Sequence, residues 1–335
     1  MKIYNYIILA SAITLGLSSC NKDDCYKNVL PEDNVIRVNA GVSSMMVKSE
    51  IDETSLTMVT SDLSEFGLFV ENAADSHYSY NNVSVTKTTD ETTSTSAWTP
   101  SKQMLWKSAT DPVTVYAYSP YNSQNNSLTD EINLSVCTDQ TVAENVKASD
   151  FLYSSSEVTP SAEQETTNPV YYNQTDSLIK LKIRHKFFKL TVSVTLDTQF
   201  NDSPGTTTNP ISSIKVTGTN VNAKFSFKNG YGELTNNTPV TACNYFYAAP
   251  ESGNLNATAK YECILIPQTI ASGGFSIKIN MGENCYIWTS NEAKTFEGGN
   301  QYNMPLTIVG NRVKTSGMTA ISWNEVTEED VITIN

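Results

Sequence analysis

Residues 177–196, SLIKLKIRHKFFKLTVSVTL, alternate apolar and polar side chains over the length of two strands. The apolar side chains of the first half share one face of a strand: Ile179, Leu181, Ile183, His185 and Phe187. The alternation then changes phase, and the second half places its apolar side chains at Phe188, Leu190, Val192, Val194 and Leu196. A strand cannot change faces without an extra residue. The pattern therefore predicts a bulge, a bend or a short turn between His185 and Phe188.

Short β-branched and aromatic runs bounded by Asn, Gly, Ser, Thr or Pro recur along the whole chain. The segment GGFSIKINMGEN, for example, puts Phe275, Ile277, Ile279 and Met281 on one face and polar residues on the other. Similar runs predict strands within 65–72, 111–120, 211–218, 223–230, 261–267 and 303–310. Many short strands separated by turn residues indicate an all-β protein built from β-sandwiches. The Thr-rich segment 86–98 is short of apolar residues and is predicted to be a surface loop.

The length of 335 residues suits two domains of roughly 150 residues each. The polar segment 156–176, which contains two prolines, predicts a long loop before a domain boundary at residue 177. The predicted division is a signal peptide (1–19), a linker (20–34), an N-terminal domain (35–176) and a C-terminal domain (177–335).

The chain carries 22 Lys and Arg against 35 Asp and Glu, a formal net charge of -13. Such a charge repels polyanions, which excludes nucleic acid as a partner.

The N-terminus has the order of an export signal, with Lys2 followed by an apolar run over residues 4–17 that is too short to span a bilayer. Its end, Leu17-Ser18-Ser19-Cys20, resembles a lipobox. That resemblance implies that Cys20 becomes the acylated first residue, so that the protein contacts the membrane only through this lipid anchor. The alternative is an ordinary signal peptide that contains a cysteine.

The sequence offers no group of residues suited to catalysis, cofactor binding or metal binding. His77 lies in a predicted loop, and His185 falls on the apolar face of a strand, which favours a core histidine. None of the common nucleophile, phosphate-binding or zinc motifs is found, and no carboxylate pair suggests a glycosidase. Without Cys20, five cysteines remain, with no CxxC spacing. Cys263 and Cys285 are expected to be small buried residues, and a bridge between them stays open. We therefore expect a protein that is not an enzyme and has no cofactor.

The aromatic residues offer one alternative function. Trp98, Trp106, Trp288 and Trp323, with 17 tyrosines, could stack on sugars in a carbohydrate-binding lipoprotein of a glycan-uptake system. The competing interpretation is that these rings fill the sandwich cores.

After the lipobox, the chain contains in order the segments VIRVNAGVSSMMVKSE (35–50), FGLFV (66–70), MLWKSATDPVTVYAYSPYN (104–122), SDFLYSS (149–155), IRHKFFKLTVSV (183–194), CILIPQTI (263–270), FEGGNQYNMPLTI (296–308) and ISWNE (321–325). These segments occur in the order seen in fimbrillin-family lipoproteins, and the chain resembles the subunits of type V pili of Gram-negative anaerobes.

The resemblance implies two tandem transthyretin-like β-sandwich domains, export as an outer-membrane lipoprotein, and assembly into a surface fimbrium that acts in adhesion. It also implies that a trypsin-like protease removes the first strand, and that a strand of the next fimbrillin subunit fills the groove. Host or bacterial surface molecules would be the adhesive ligands. On this sequence the cleaved residue is expected to be Lys48, with Arg37 as the alternative. If neither is cut, the resemblance implies an anchor subunit. The tail 328–335 could be a last strand of its own domain or part of a donor strand.

Overall fold

The computed structural model describes residues 29–42, 63–90, 95–200 and 208–323, and within them nearly all regular structure is β-strand, as predicted. The strands of the first half are β1 Val38–Val42, β2 Glu65–Glu71, β3 Tyr80–Asp90, β4 Thr95–Pro100, β5 Val113–Ser119, β6 Ile132–Ser135, β7 Leu152–Val158 and β8 Val170–Asn173. Those of the second half are β9 Leu178–His185, β10 Phe188–Leu196, β11 Ile211–Thr217, β12 Asn220–Ser226, β13 Gly230–Asn237, β14 Val240–Thr241, β15 Cys243–Ala248, β16 Ala257–Leu265, β17 Gln268–Ile270, β18 Ser276–Met281, β19 Asn284–Thr289, β20 Lys294–Phe296, β21 Asn300–Val309, β22 Arg312–Thr315 and β23 Thr319–Ser322.

Helix is confined, over the same ranges, to α1 (Ala143–Ala148) and to two 3-10 turns at Ser76–Tyr78 and Thr198–Phe200. None of the helices in this part of the chain is long and apolar enough to cross a membrane. Every run that the sequence predicted as a strand overlaps one, although β12, β16 and β21 begin three or four residues earlier than predicted.

The first sheet has eight strands in the order β1-β9-β7-β5-β2-β3-β4, with β8 paired to β9. The two ends of this order meet, because the indole of Trp98 in β4 donates a hydrogen bond to the carbonyl of Ala40 in β1. The sheet thus curves around its own core, which we call the first core. Its buried members include Phe66, Val115 and Ile183.

The second core lies between the sheets formed by the rest of the chain. One has the order β15-β16-β10-β21-β22 with β23 also on β21, another β14-β11-β18-β19, and the third β13-β12-β6. In β18 the predicted alternation is confirmed, since Ile277, Ile279 and Met281 are buried while the residues between them are partly exposed. This alternation is what a strand shows when only one of its faces covers a core.

The predicted phase change in residues 177–196 is confirmed, and it separates the two cores. β9 ends at His185 and β10 begins at Phe188. Ile179, Leu181 and Ile183 of β9 pack in the first core, whereas β10 packs its apolar side chains in the second core. The two residues between the strands therefore carry the chain from one core to the other. The division of the chain into two domains stays a prediction. Because β9 packs in the first core, the chain enters the second core after His185 and not at residue 177.

A segment of the first half of the chain crosses onto the second core. β6 pairs with β12, and the side-chain amide of Gln140 both donates to the carbonyl of Ile264 and accepts from its N–H, each at 2.8 Å. Aromatic contacts add to this junction, since Phe227 lies 4.7 Å from Tyr118 and 5.2 Å from Phe69 between ring centroids. These contacts attach two strands of the first sheet, and the loop that follows β6, to the second core.

Two loop predictions need correction. Residues 86–98, predicted as a surface loop, belong largely to the β3–β4 hairpin. Threonine is β-branched and suits an extended backbone even where neither face of the strand is strongly apolar. The segment 156–176, predicted as one long loop, contains the end of β7 and all of β8.

Candidate functional site

The candidate site is the first strand, β1, together with the groove that holds it. β1 runs parallel to β9, with Val38 opposite Ile179 and Val42 opposite Ile183. Its sequence VNAGV alternates, so that Val38 is buried while Asn39 and Gly41 are exposed. β1 is the terminal strand of the first sheet, and its ladder with β9 is the only strand pairing it makes within the residues described.

The residues that lead into β1 add buried side chains and backbone bonds. Leu30 and Ile36 are buried in the first core together with Val38. The N–H of Ile36 donates to the carbonyl of Met104 at 2.8 Å, and the N–H of Trp106 donates to the carbonyl of Asn34 at 2.8 Å. The whole segment 29–42 thus fills one side of the first core.

On the side away from β9, a tryptophan side chain contacts β1. The Trp98 indole N–H donates to the carbonyl of Ala40 at 3.1 Å, and its ring meets Phe66 edge-on at 5.1 Å between centroids. No ladder connects β1 to β4 in the described ranges. One side of β1 is therefore held by backbone hydrogen bonds to β9, and the other side contacts the Trp98 side chain.

The two predicted cleavage residues differ in what the structure describes. Arg37 was predicted to lie within a strand; it is the residue just before β1, and its carbonyl accepts the N–H of Ile179 at 2.9 Å. Its guanidinium pairs with both oxygens of Asp33, with Nη1 3.0 Å from Oδ1. The carbonyl and the side chain of Arg37 are therefore both engaged. Lys48 and the predicted lipidation residue Cys20 lie outside the described residues.

The ion pair at Arg37 also determines the ionisation of its carboxylate partner. The hydrogen bond from Arg37, helped by the N–H of Val35, lowers the pKa of Asp33 to about 2. Asp33 is fully exposed, so this pair is screened by solvent and contributes little to stability.

The sequence and the fold both resemble known proteins. A profile of the fimbrillin-like family matches residues 56–323. The chain belongs to the fimbrillin-like family. It is similar in structure to a protein from Bacteroides uniformis that is assigned to cell adhesion, with 17% identity, a TM-score of 0.53, and coverage of 87% of this chain and 100% of that one. A Bacteroides ovatus protein with the same assignment shows 15% identity, a TM-score of 0.54, and coverage of 88% and 98%. No curated protein matches the chain significantly.

The tryptophans considered as sugar-stacking residues pack against the cores of this fimbrillin-like chain. Trp106 and Trp323 are buried, and Trp98 and Trp288 are half-buried against the first and second core respectively. The interpretation of these rings as core residues is therefore confirmed for Trp106 and Trp323.

The two histidines of the fimbrillin-like chain differ in their exposure to solvent. His185 is buried as predicted, with Nδ1 2.9 Å from a carboxylate oxygen of Asp150 and its ring stacked on Trp323 at 3.7 Å. His77 is exposed in a 3-10 turn beside Asp75. Over the described ranges, no three His, Cys, Asp or Glu side chains are grouped as a metal site requires.

The two cysteines considered for a bridge are free. Cys263 is buried in β16, as expected, but Cys285 is exposed in β19, a different sheet. The expectation that both would be buried is therefore wrong for Cys285, because it lies on the outward face of an edge strand.

Two features of this site were not predicted from the sequence, namely the pairing of β1 with β9 and the hydrogen bond from Trp98. β9 was recognised as a strand, but nothing indicated that it would be the parallel partner of β1. Trp98 was treated as a core or sugar-stacking ring, whereas it also bonds to the backbone of β1. The only signal for the first was the strictly alternating apolar face of residues 179–183, which requires cover from a neighbouring core.

Proposed function

We propose that this protein is a structural subunit of a surface fimbrium that polymerises by strand exchange after proteolytic removal of its first strand. Its partners would be other fimbrillin-like subunits and a trypsin-like processing protease. The observation that carries the proposal is the position of β1, which ends the first sheet and, among the described residues, pairs with β9 alone.

The groove left by β1 supplies the driving force for exchange. Removal of residues 29–42 would uncover the apolar surface against which Leu30, Ile36 and Val38 pack. Burying an aliphatic side chain is worth roughly 1.5–3 kcal/mol, so an incoming strand with similar side chains regains several kcal/mol. The backbone groups of β9 opposite β1 would also lose their partners, and an added strand satisfies them.

The bonds around Arg37 support cleavage at Lys48 in preference to Arg37. A protease needs its substrate backbone extended and free, whereas the carbonyl of Arg37 is bonded to β9 and its side chain to Asp33. A cut after Lys48 would also remove β1 completely, since β1 ends at Val42.

The experiment is trypsin-like digestion of the mature protein, followed by denaturing gels without full boiling. Wild-type chain should be trimmed after Lys48 and then form a ladder of polymers. Lys48→Gln should abolish both trimming and ladder, while Arg37→Gln, the matched control, should behave as wild type. A chain trimmed at Lys48 that remains monomeric would contradict strand exchange.

Export as a lipoprotein is the second part of the proposal. Cys20 would carry the lipid, and cleavage at Lys48 would release the subunit from that anchor at the outer membrane. Mass spectrometry of the mature N-terminus on surface material tests this part. An acylated Cys20 on unprocessed chains and Ser49 as the first residue of polymerised chains are the expected results.

The proposed role in the assembled fimbrium is adhesion to a host or bacterial surface. Among the side chains that the structure describes, the four tryptophans are engaged in or against the cores, so the glycan-uptake alternative gains no support from them. Cells that lack this subunit should attach less well to such surfaces, with attachment restored by the wild-type chain.

A further inference from the structure

A buried polar group without a partner lies in the first core, next to the segment that the proposed assembly removes. The indole Nε1–H of Trp106 has no hydrogen-bond partner among the described residues, although the residue is only 3% exposed. A buried donor without an acceptor is destabilising, because folding removes its bonds to water and puts nothing in their place. Native proteins contain few such groups, and each one requires an explanation.

Trp106 lies directly beside the segment 29–42. Its backbone N–H donates to the carbonyl of Asn34 at 2.8 Å, and the preceding residue, Leu105, forms an isolated antiparallel bridge with Val35. Leu105 is exposed, so the alternation of an extended chain turns the side chain of Trp106 inward. The indole therefore belongs to the part of the first core that this segment covers, and removal of the segment would uncover it.

A neighbouring polar group shows that the segment can supply an acceptor. The ring of Tyr172 meets that of Trp106 edge-on, with 5.5 Å between centroids. The hydroxyl of Tyr172 donates to the carbonyl of Val29 at 2.6 Å. Two polar groups thus lie close together beside one segment, which pairs with the tyrosine and leaves the tryptophan unpaired.

We propose that the indole N–H of Trp106 is a hydrogen-bond donor that recognises the incoming strand. The inference rests on the proposed strand exchange and names a residue that favours its product. In the uncut chain this donor is buried and unpaired, whereas after exchange it donates to an acceptor oxygen on the strand of the next subunit. The exchanged state therefore contains a hydrogen bond that the uncut chain lacks, and this difference favours exchange over retention of the original strand.

The inference also defines the chemistry of the incoming strand. Apolar side chains fit where Leu30, Ile36 and Val38 now pack, and a hydrogen-bond acceptor fits at the indole of Trp106. A strand that supplies only the apolar side chains leaves the N–H unpaired and is bound less tightly, because a buried polar group without a partner discriminates against it. The groove thereby distinguishes the strand of the next subunit from the first strand of its own chain.

The first test is ultraviolet resonance Raman spectroscopy of the uncut mature chain and of the polymer, because a vibration of the indole ring reports whether its N–H is bonded. The chain has four tryptophans, so the signal of Trp106 is obtained as the difference between wild type and Trp106→Phe. We expect an unbonded indole in the uncut chain and a bonded one in the polymer. A bonded indole in the uncut chain, or an unbonded one in the polymer, would overturn the inference and leave the proposed function intact. A trimmed wild-type chain that never polymerises would overturn both.

The second test separates the hydrogen bond from the packing of the ring. Benzothienylalanine in place of Trp106 retains the size of the ring but has sulfur where the indole has N–H. Dissociation of the polymer should become about three- to tenfold faster, as expected for the loss of one hydrogen bond, while hydrogen exchange of the β1 amides in the uncut chain stays unchanged. The same analogue in place of Trp288, which packs against the second core, is the matched control and should change neither rate. Equal changes in the two rates at Trp106, or no change in polymer dissociation, would show that Trp106 acts only through packing and would overturn the inference.

Discussion

Two parallel ladders connect strands in the described part of the chain, and they differ in how firmly their strands are held. β1 and β9 share five residue pairs, from Val38–Ile179 to Val42–Ile183, and among the described residues the far side of β1 has no second ladder and accepts a hydrogen bond from the Trp98 side chain. β10 and β21 share eight pairs, and each also pairs with further strands on its far side. A strand between two ladders cannot leave without breaking both, whereas β1 breaks one. The comparison shows why exchange at β1 is compatible with a stable remainder.

The strongest test of this comparison is Phe188→Ala in β10. Phe188 is fully buried and stacks on Phe296 at 4.7 Å between centroids. Removing a fully buried phenyl ring costs about 3–5 kcal/mol. The free energy of unfolding in urea should fall by this amount. Phe200→Ala, which removes a half-buried ring, is the control and should cost clearly less; equal costs would show that β10 is no more critical than the periphery.

Val38→Asp tests whether β1, the strand with one ladder, can detach on its own. An unpaired carboxylate in the first core costs more than the roughly 1–3 kcal/mol of a buried neutral polar group, and detachment of β1 limits that cost. We expect the amides of residues 38–42 to lose hydrogen-exchange protection while those of β10 keep it. Asn39→Asp, on the exposed face of the same strand, should change neither. If Val38→Asp unfolds β10 as well, β1 is not a separable element.

Sequence patterns predicted the strands of this fold better than their partners. The phase change at residues 185–188 is a local property, because alternation reports which face of a strand is buried. Which strand lies beside β1 depends on contacts between residues more than a hundred positions apart, and no local pattern encodes that. The same limit explains Trp98. The hydrogen bond of Trp98 to Ala40 depends on closure of the whole sheet. In addition, the Thr-rich residues before Trp98 led to the prediction of a loop where β4 lies.

Trp98→Phe tests the single side-chain bond on the far side of β1. The substitution removes the indole N–H that bonds to Ala40 and retains an aromatic ring against Phe66. A hydrogen bond of this kind contributes about 0.5–1.5 kcal/mol. Protection of β1 should fall by a matching factor in hydrogen exchange, with the second core unchanged. Trp288→Phe in β19 is the control, and an equal effect there would remove the special role of Trp98.

The smallest expected effect concerns pH and the pair before β1. The pKa of Asp33 in the folded protein is about 2, below its ordinary value of 3.8. A lowered pKa means that the contribution of the pair is fully present above the ordinary value and is lost as the pH falls through about 2. An NMR titration of the Asp33 carboxyl should give a midpoint of about 2. Arg37→Gln should move this midpoint towards 3.8, because the largest cause of the shift is the guanidinium.

If the midpoint stays near 2 in Arg37→Gln, the N–H of Val35 is the dominant partner of Asp33, and the ion pair restrains Arg37 only weakly. If the midpoint moves towards 3.8 as expected, the guanidinium of Arg37 is the main partner of Asp33. The pair then persists at every pH above about 4, where Asp33 is fully ionised. Resistance of Arg37 to cleavage should then be the same from mildly acid to neutral pH. The retention of β1 in the uncut chain thus depends on its ladder with β9 and on its buried side chains, while the exposed ion pair protects the backbone that leads into it.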